Sequence, residues 1–298
     1  MAVRAAARAV EDWAERRRWR FRQSADRRVR TIDEAVEFVD DVGLCVFQGE
    51  RGGLPSFYGA IAGREGPAPR WGQHDRAYGQ AWDWKDKLFS QGRIYYGKAL
   101  GDFRLLASRT ILPALIAACA PGPLGDVDDY LALYQDGKLG ADAKTIYEAL
   151  LATGPASTTR LRQAAHMLGK GGQFRRFEQA LGELQRAFLA APTGIARDNR
   201  WKYTFRYAPL QVAFPKEVAA ATELSSRAAT AQLLRHYLDL VGPTPLNTPI
   251  RLFGWPAEPA ARVAEKLADD GLARLEGGWL LPHSPAPDGE GRGVGASP

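Results

Sequence analysis

The sequence predicts a helix-rich α+β protein built from tandem winged-helix modules, each a helix-turn-helix unit followed by a β-hairpin. Two observations lead to this fold class. Three helical segments followed by a hairpin occupy residues 142–208, and the same order recurs over residues 209–283. The 298 residues are 45% hydrophobic, which is enough to bury a core without disulfides. At this length two or three modules are expected rather than one continuous core.

Residues 1–30 predict a basic helical arm with ten arginines and four acidic residues. Trp13, Trp19 and Phe21 alternate with the arginines in this segment. Two interpretations remain open. The arm either lies along a polyanion, or it docks on the protein through its aromatic side chains and leaves the arginines in water.

Residues 31–141 predict an N-terminal module of helices and strands. Thr31 and Glu34 form a capping box that starts a helix, and Gly43 ends it before a short apolar strand. Because residues 63–92 lack a clean hydrophobic period, we predict an ordered, tryptophan-rich irregular loop there. The further elements expected are a strand near Tyr95–Lys98 and helices over 109–119 and 126–136.

Residues 142–208 predict a winged helix with a basic helix and a basic wing. The segments are helices over 142–153, 159–167 and 174–189, then extended pieces over 189–191 and 200–207. The third helix carries an apolar stripe at spacings of three and four residues, formed by Phe174, Phe177, Leu181, Leu184 and Phe188. Ser157 or Thr158 is expected to cap the second helix.

Residues 209–283 predict a second winged helix. Its first helix is expected to start at Ser225 or Ser226, and its second and third helices are expected to cover 247–253 and 259–270. Glu276-Gly277-Gly278 is a tight-hairpin signal. The third helix is nearly balanced in charge, which is typical of a structural or protein-contact module. Residues 284–298 contain Gly, Pro, Ser and charged residues without apolar anchors, so we expect a disordered tail.

Composition excludes several classes of protein. No apolar run approaches the roughly 20 residues that cross a bilayer, so no membrane association is expected. The arginine-rich N-terminus has no apolar core of a secretory signal. Cys45 and Cys119 lie among apolar neighbours and predict buried free thiols in a reducing compartment. Because the two cysteines and four histidines lack ligand spacing, we expect a cytoplasmic protein with no metal and no cofactor.

The charge distribution favours duplex DNA as the partner. The net charge is +6, and residues 157–206 alone contain ten Lys and Arg against three acidic residues. The last helix of a helix-turn-helix unit enters the major groove, and a basic hairpin beside it can contact phosphates. The alternative is a solvated basic face with no partner. The residues predicted to contact DNA, hereafter the DNA-contact set, are Lys170, Arg175, Arg176, Gln179, Arg186, Arg200, Lys202 and Arg206.

From about residue 31 to residue 282 the chain resembles the AlkZ/YcaQ-type DNA glycosylases, in a divergent branch. The resemblance is carried by the module architecture and by four short phrases, Leu54–Tyr58, Trp82–Asp86, Tyr95–Lys98 and Ala180–Gln185. It implies winged-helix units packed around a concave surface of DNA size, and excision of alkylated or crosslinked bases.

The resemblance also implies a catalytic motif, Gln-x-Gln or Gln-x-Asp, on the strand after the first capped helix. Here Gln48 takes the second position and Val46 takes the first, and the stretch from Tyr95 to Leu100 lacks the family's histidine. Hydrolysis of an N-glycosidic bond needs a group that stabilises positive charge on the sugar and places a water. We therefore name Gln48, Glu50 and Asp86 as catalytic candidates. The alternatives are that Gln48 is a loop residue and that the Trp/Asp segment is packing.

The sequence therefore predicts a cytoplasmic, nucleoid-associated protein of DNA repair that binds duplex DNA with little sequence preference, with a monomer favoured. Its catalytic activity is lost, weak or rebuilt from other residues. One alternative is an active monofunctional glycosylase. A second is a winged-helix transcriptional regulator, which requires a preferred sequence and usually a dimer. A third is a protein-interaction scaffold.

Overall fold

The computed structural model describes residues 13–69 and 73–283. The protein is a helix-rich α+β protein with three small antiparallel sheets. Helix α1 covers residues 13–20. The first part of the predicted arm, Trp71 and the predicted tail lie outside the described residues.

One order of elements, helix–strand–helix–helix–strand–strand, occurs three times. The first repeat comprises α2 Ile32–Val42, β1 Leu44–Val46, α3 Phe57–Ala62, α4 Arg76–Ser90, β2 Tyr95–Gly97 and β3 Leu105–Ala107. After α5 Leu112–Cys119 and α6 Asp129–Gln135, the second comprises α7 Ala141–Thr153, β4 Ala156–Ser157, α8 Thr158–Ala164, α9 Gly172–Arg186, β5 Ala190–Ala196 and β6 Thr204–Pro209. After α10 Leu210–Ala213 and α11 Pro215–Thr222, the third comprises α12 Ser226–Val241, β7 Thr244–Pro245, α13 Asn247–Phe253, α14 Ala257–Asp269, β8 Ala273–Glu276 and β9 Trp279–Pro282.

The three sheets share one topology, in which the last strand of each repeat lies between the other two. The strand orders are β1-β3-β2, β4-β6-β5 and β7-β9-β8, all antiparallel. In each repeat the last two strands are neighbours in sequence and in the sheet, so they form the hairpin that the sequence predicts for the second and third repeats. The sequence analysis did not identify the first repeat as a copy of the same pattern.

The hydrophobic core has two parts. The first and third repeats share one cluster of buried side chains, which α5 joins by packing against α11 and α12. The second repeat has its own cluster, built from α6, α7, α8, α9 and the inner ends of β5 and β6. Phe205 packs against both clusters, and α4 packs along β5, so the first repeat lies directly against the hairpin of the second.

The predicted start of the first repeat is confirmed. Thr31 accepts a hydrogen bond from the backbone of Glu34 at 3.1 Å, and Glu34 accepts one in return from the Arg30 backbone at 2.8 Å. The helix ends at Gly43, whose φ of 69° favours glycine. A Cβ there would lie 2.3 Å from Nε2 of His236, a nitrogen that lies 2.9 Å from the Val42 carbonyl oxygen.

The described part of the basic arm docks through two of its aromatic side chains. Trp13 and Phe21 are buried, and Trp13 covers Gly242 at the end of α12. Arg20 donates to the backbone carbonyls of Asp239 and Asp41 and so ties α1 to α12 and α2. Trp19 remains 58% exposed.

The prediction of an irregular loop over 63–92 is wrong for most of its length, because α4 covers Arg76–Ser90. Asp75 caps this helix by accepting from the backbone of Tyr78. The buried positions follow a regular helical period and are Ala81, Trp84, Lys85, Leu88 and Phe89. A lysine at one of these positions interrupts the apolar stripe, and for that reason the hydrophobic pattern did not indicate a helix.

The apolar stripe of α9 is shorter than predicted. Phe177, Leu181 and Leu184 are buried, whereas Phe174 is 45% exposed and lies under the guanidinium of Arg162. Phe188 is buried after the helix has ended. The predicted cap of α8 is Ser157, which accepts from the Arg160 backbone. In the part of the chain that the structure describes, no helix is both long and apolar enough to span a bilayer.

Candidate active site and nucleic-acid interface

A fully buried lysine lies where the first repeat meets the hairpin of the second. The Lys85 side chain projects from α4 and has no solvent exposure. Aromatic rings from α4, from β2, from β6 and from the residue after β1 surround its ammonium. The distances from Nζ to the ring centroids are 4.0 Å for Trp82, 5.3 Å for Tyr96, 5.6 Å for Phe47, 5.7 Å for Phe205 and 5.9 Å for Phe89. These residues are called the Lys85 pocket.

Asp86 and Tyr203 complete the polar contacts of this lysine. Nζ of Lys85 lies 2.5 Å from Oδ1 of Asp86 and donates to the hydroxyl of Tyr203 at 3.3 Å. The same hydroxyl donates to Asp86, with distances of 3.0 and 3.1 Å to the two carboxylate oxygens. Tyr203 belongs to the turn of the β5–β6 hairpin, so this network joins α4 to the hairpin.

Burial sets the electrostatics of the network. It lowers the pKa of Lys85, which the carboxylate of Asp86 only partly restores. Burial also raises the pKa of Asp86, against the opposing effects of Lys85 and of the Tyr203 hydrogen bond. The pKa of the Tyr203 hydroxyl is raised by burial and then by the adjacent carboxylate. Both members of the ion pair therefore lose their charge more readily than they would in water.

Asp86 is the one of the three catalytic candidates whose side chain is held by hydrogen bonds to other described residues. Its side chain is 16% exposed, so a carboxylate oxygen can reach solvent while the group stays fixed by Lys85 and Tyr203. A fixed and partly desolvated carboxylate can stabilise positive charge that develops on a sugar, or can hold a water.

Gln48 and Glu50 have different surroundings. Both side chains are exposed on the loop after β1 and have no hydrogen-bond or ion-pair partner among the described residues. Gln48 directly follows Phe47, a ring of the Lys85 pocket that lies 5.6 Å from the Trp82 ring. Within residues 13–69 and 73–283, no hydrogen bond or ion pair connects either side chain to Asp86. Val46 is fully buried in β1, so the first position of the Gln-x-Gln motif offers no polar group here.

All eight side chains of the DNA-contact set are exposed. Lys170 lies in the turn before α9, four lie on α9, two lie in the turn of the β5–β6 hairpin, and Arg206 lies in β6. Two of them have acidic partners. Arg176 forms a bidentate pair with Asp142 at 2.6 and 2.8 Å, and Arg186 lies 3.7 Å from Asp102. Arg175 has no acidic partner in the described part of the chain.

The turn of the β5–β6 hairpin is held by side-chain hydrogen bonds. Asn199 donates to the carbonyl oxygen of Tyr203 at 2.7 Å and accepts from its backbone N–H at 2.9 Å. The preceding residue, Asp198, accepts from the hydroxyl of Ser157 in β4. Trp201, between Arg200 and Lys202, is 80% exposed at this turn.

Neither Lys85 nor Tyr203 is among the site residues that the sequence predicts. Their signal is indirect. A lysine at a core position of the helical period over 81–89 indicates a buried, paired ammonium. Nothing in the sequence indicates that Tyr203, 117 positions after Asp86, completes the pair.

Both cysteines are free thiols. Cys45 is fully buried in β1 and Cys119 is partly buried. Among the described residues, no group of three or more His, Cys, Asp or Glu side chains is arranged to hold a metal ion.

The sequence model of one protein family, described as AlkZ related, matches residues 29–253. The chain belongs to the AlkZ-related family. The match includes the first two repeats, the Lys85 pocket and the whole DNA-contact set, and it ends with α13, before α14 of the third repeat. No curated protein and no solved structure matches the chain. The resemblance stated from the sequence is therefore confirmed at the level of the family, and membership suggests a glycosylase-like protein related to DNA repair.

Proposed function

We propose that this AlkZ-related protein binds duplex DNA in a repair context, with little preference for sequence, through α9 and the β5–β6 hairpin. The observation that carries the proposal is the exposure of the entire DNA-contact set on a helix, the turn before it and the hairpin that follows it. A helix-turn-helix followed by a basic hairpin can place its last helix in the major groove and its hairpin on the phosphates.

In this proposal each of the three repeats is a winged-helix module. The repeated order of elements and the shared strand order support that assignment. The same proposal includes the predicted division of the chain into modules over 31–141, 142–208 and 209–283. It also includes a concave surface of DNA size, and a protein that is monomeric, cytoplasmic and nucleoid-associated. The third repeat serves as a structural module, because Arg262 and Lys266 on α14 are engaged by Glu258 and Asp270.

DNA binding is tested by fluorescence anisotropy on a random-sequence duplex over a range of salt concentrations. We expect Arg175→Ala combined with Arg200→Ala to weaken binding and to reduce the slope of log K against log salt by roughly one per lost phosphate contact. The matched control is Arg262→Ala with Lys266→Ala, which removes the same charge from the third repeat and leaves the slope unchanged. Equal slopes for wild type and the first variant would remove α9 and the hairpin as the binding surface.

A second candidate function is active base excision, and the position of Asp86 favours it. A fixed, partly desolvated carboxylate can stabilise an oxocarbenium-like transition state, and Gln48 follows Phe47, whose ring contacts Trp82 of the same helix as Asp86. In this mechanism Asp86 stabilises the developing positive charge, Gln48 orients the attacking water, and Lys85 and Tyr203 hold the carboxylate. The bond between C1′ and the base nitrogen breaks and the water oxygen bonds to C1′, while the remaining water proton passes to the departing base or to solvent.

Base excision is tested by incubating the protein with methylated and with crosslinked duplex DNA and measuring released base. Release that is lost in Asp86→Asn and reduced in Gln48→Ala, with unchanged DNA affinity, would establish a glycosylase. Binding without release would leave the protein as a non-catalytic relative. A preference for one sequence among random duplexes would instead favour a transcriptional regulator.

A further inference from the structure

One apolar side chain is exposed at the centre of the basic hairpin. Trp201 is 80% exposed, more than any other large apolar side chain in the described part of the chain. Three of the seven tryptophans that the structure describes are buried, and none of the other exposed ones is as exposed as Trp201. Trp13, Trp84 and Trp255 are buried, and Trp82 contributes to the Lys85 pocket. An indole left in water at the tip of a hairpin loses the free energy that burial would provide, and an exposed aromatic group is a feature of a contact surface.

The turn that carries Trp201 is held in place by hydrogen bonds. Asn199 closes the turn with two hydrogen bonds to Tyr203, and the backbone of Lys202 donates to the Asn199 carbonyl at 3.0 Å. The Tyr203 hydroxyl is in turn fixed by Asp86 and Lys85, whose helix packs along β5. A side chain on such a fixed turn can contact a partner without a change in the conformation of the hairpin.

The chemistry around the indole indicates what it contacts. Arg200 and Lys202 flank Trp201, and Arg206 lies further along β6. The Arg200 guanidinium is 5.6 Å from the indole ring. Cations on both sides suit phosphates, and an uncharged ring between them suits the faces of bases, which lie between the phosphates of a duplex.

We propose that Trp201 inserts into the base stack of the bound duplex, at a position where the stack is already interrupted by a missing or unpaired base. Insertion at an intact step requires unstacking, whereas an interrupted step offers a base face at less cost. The hairpin would thereby direct the protein to damaged positions within DNA that it otherwise binds without preference. This inference rests on the proposed DNA binding.

The test compares the affinity for an intact duplex with that for the same duplex carrying one synthetic abasic site. Wild type should favour the abasic duplex by roughly tenfold, a value typical of one aromatic–base stack. Trp201→Ala should bring the ratio close to one while it changes the affinity for intact duplex less than twofold. Trp201→Phe should keep most of the ratio. Because Trp201 is exposed, these variants should fold as the wild type does, which a thermal melt checks.

A matched control is Tyr134→Ala, since Tyr134 is another exposed aromatic with a cation, Lys144, over its ring, but lies outside residues 157–206. The ratio of the affinities of Tyr134→Ala for the abasic and intact duplexes should equal that of wild type. A direct reporter is the permanganate reactivity of a thymine beside the abasic site, which should fall on binding of wild type, because the indole covers the exposed base face, and should not fall on binding of Trp201→Ala.

The outcomes separate the two proposals. Salt-dependent binding with equal affinity ratios and equal permanganate reactivity in wild type and Trp201→Ala would overturn the insertion and leave duplex binding standing. Absence of binding to any duplex would overturn the proposed function itself.

Discussion

The buried ammonium of Lys85 and the carboxylate of Asp86 form an ion pair with an Nζ to Oδ1 distance of 2.5 Å, at the contact between the first repeat and the hairpin of the second. The lysine has no solvent exposure and the aspartate has 16%. Five rings cover the ammonium, so Asp86 is its one anionic partner among the described residues. The pair therefore holds the catalytic candidate in place and connects two repeats.

Removal of Asp86 should destabilise the protein strongly, because a buried charge would remain without its counterion. We expect Asp86→Ala to lower the free energy of unfolding by about 3–5 kcal/mol. The matched control is Asp83→Ala on the same helix, which breaks the exposed pair between Asp83 and Lys87 and should cost about 0–1 kcal/mol. Urea unfolding of both variants provides the comparison. Equal losses of unfolding free energy in Asp86→Ala and Asp83→Ala would contradict the presence of a charged lysine in the protein interior.

The loss in Asp86→Ala should depend on pH in a defined direction. Burial holds the folded-state pKa of Lys85 below its ordinary 10.5, and removal of the carboxylate lowers it further. The stability contributed by a group with a depressed basic pKa is present above the unfolded pKa and is lost as pH falls through the folded pKa. The stability gap between Asp86→Ala and Asp83→Ala should therefore narrow as pH rises from 7 towards 10. A gap that is constant or widens over this range would contradict this assignment.

The helices and the two later hairpins were predictable because their signals are local. Gly43 and Ser157 mark boundaries through capping chemistry, and Glu276-Gly277-Gly278 marks a tight turn. Helix α4 was missed because Lys85 occupies a core position in its period. Lys85, which defines the candidate site, is thus also the residue that obscures the helical hydrophobic pattern of α4.

The site itself was only partly predictable. Asp86 and the DNA-contact set are predicted from residue type and local charge, and their roles remain predictions. The positions of Tyr203 and Phe205 against Lys85 are contacts between distant segments, and single-sequence periodicity contains no information on them. The pairing of Arg176 with Asp142 is likewise invisible in the sequence.

The end of the first helix provides a test of backbone and packing together. Gly43→Ala should destabilise the protein by about 2–4 kcal/mol, since its φ of 69° disfavours a side chain and the new Cβ would displace His236 from Val42. Gly79→Ala is the contrast. Gly79 lies in α4 at ordinary helical φ with nothing within 4 Å of the added Cβ, so alanine should stabilise by about 0.5–1 kcal/mol. Thermal unfolding of both variants decides, and a Gly43→Ala protein as stable as wild type would show that His236 can move at no cost.

Two adjacent arginines on α9 should contribute unequally to DNA binding. Arg175 has no acidic partner in the described chain, whereas Arg176 is held by both carboxylate oxygens of Asp142. A phosphate has to compete with that carboxylate, so we expect Arg176→Ala to weaken binding less than Arg175→Ala and to change the salt slope by less than one.

Asp142→Asn supplies the complementary experiment, because it frees Arg176 and removes one negative charge beside α9. It should tighten binding and steepen the salt slope, and Arg176→Ala in that background should then cost about as much as Arg175→Ala. The Asp142 pair is exposed, so its loss should change stability by at most about 1 kcal/mol. Weaker binding by Asp142→Asn would mean that the carboxylate positions Arg176 for DNA rather than competing with it.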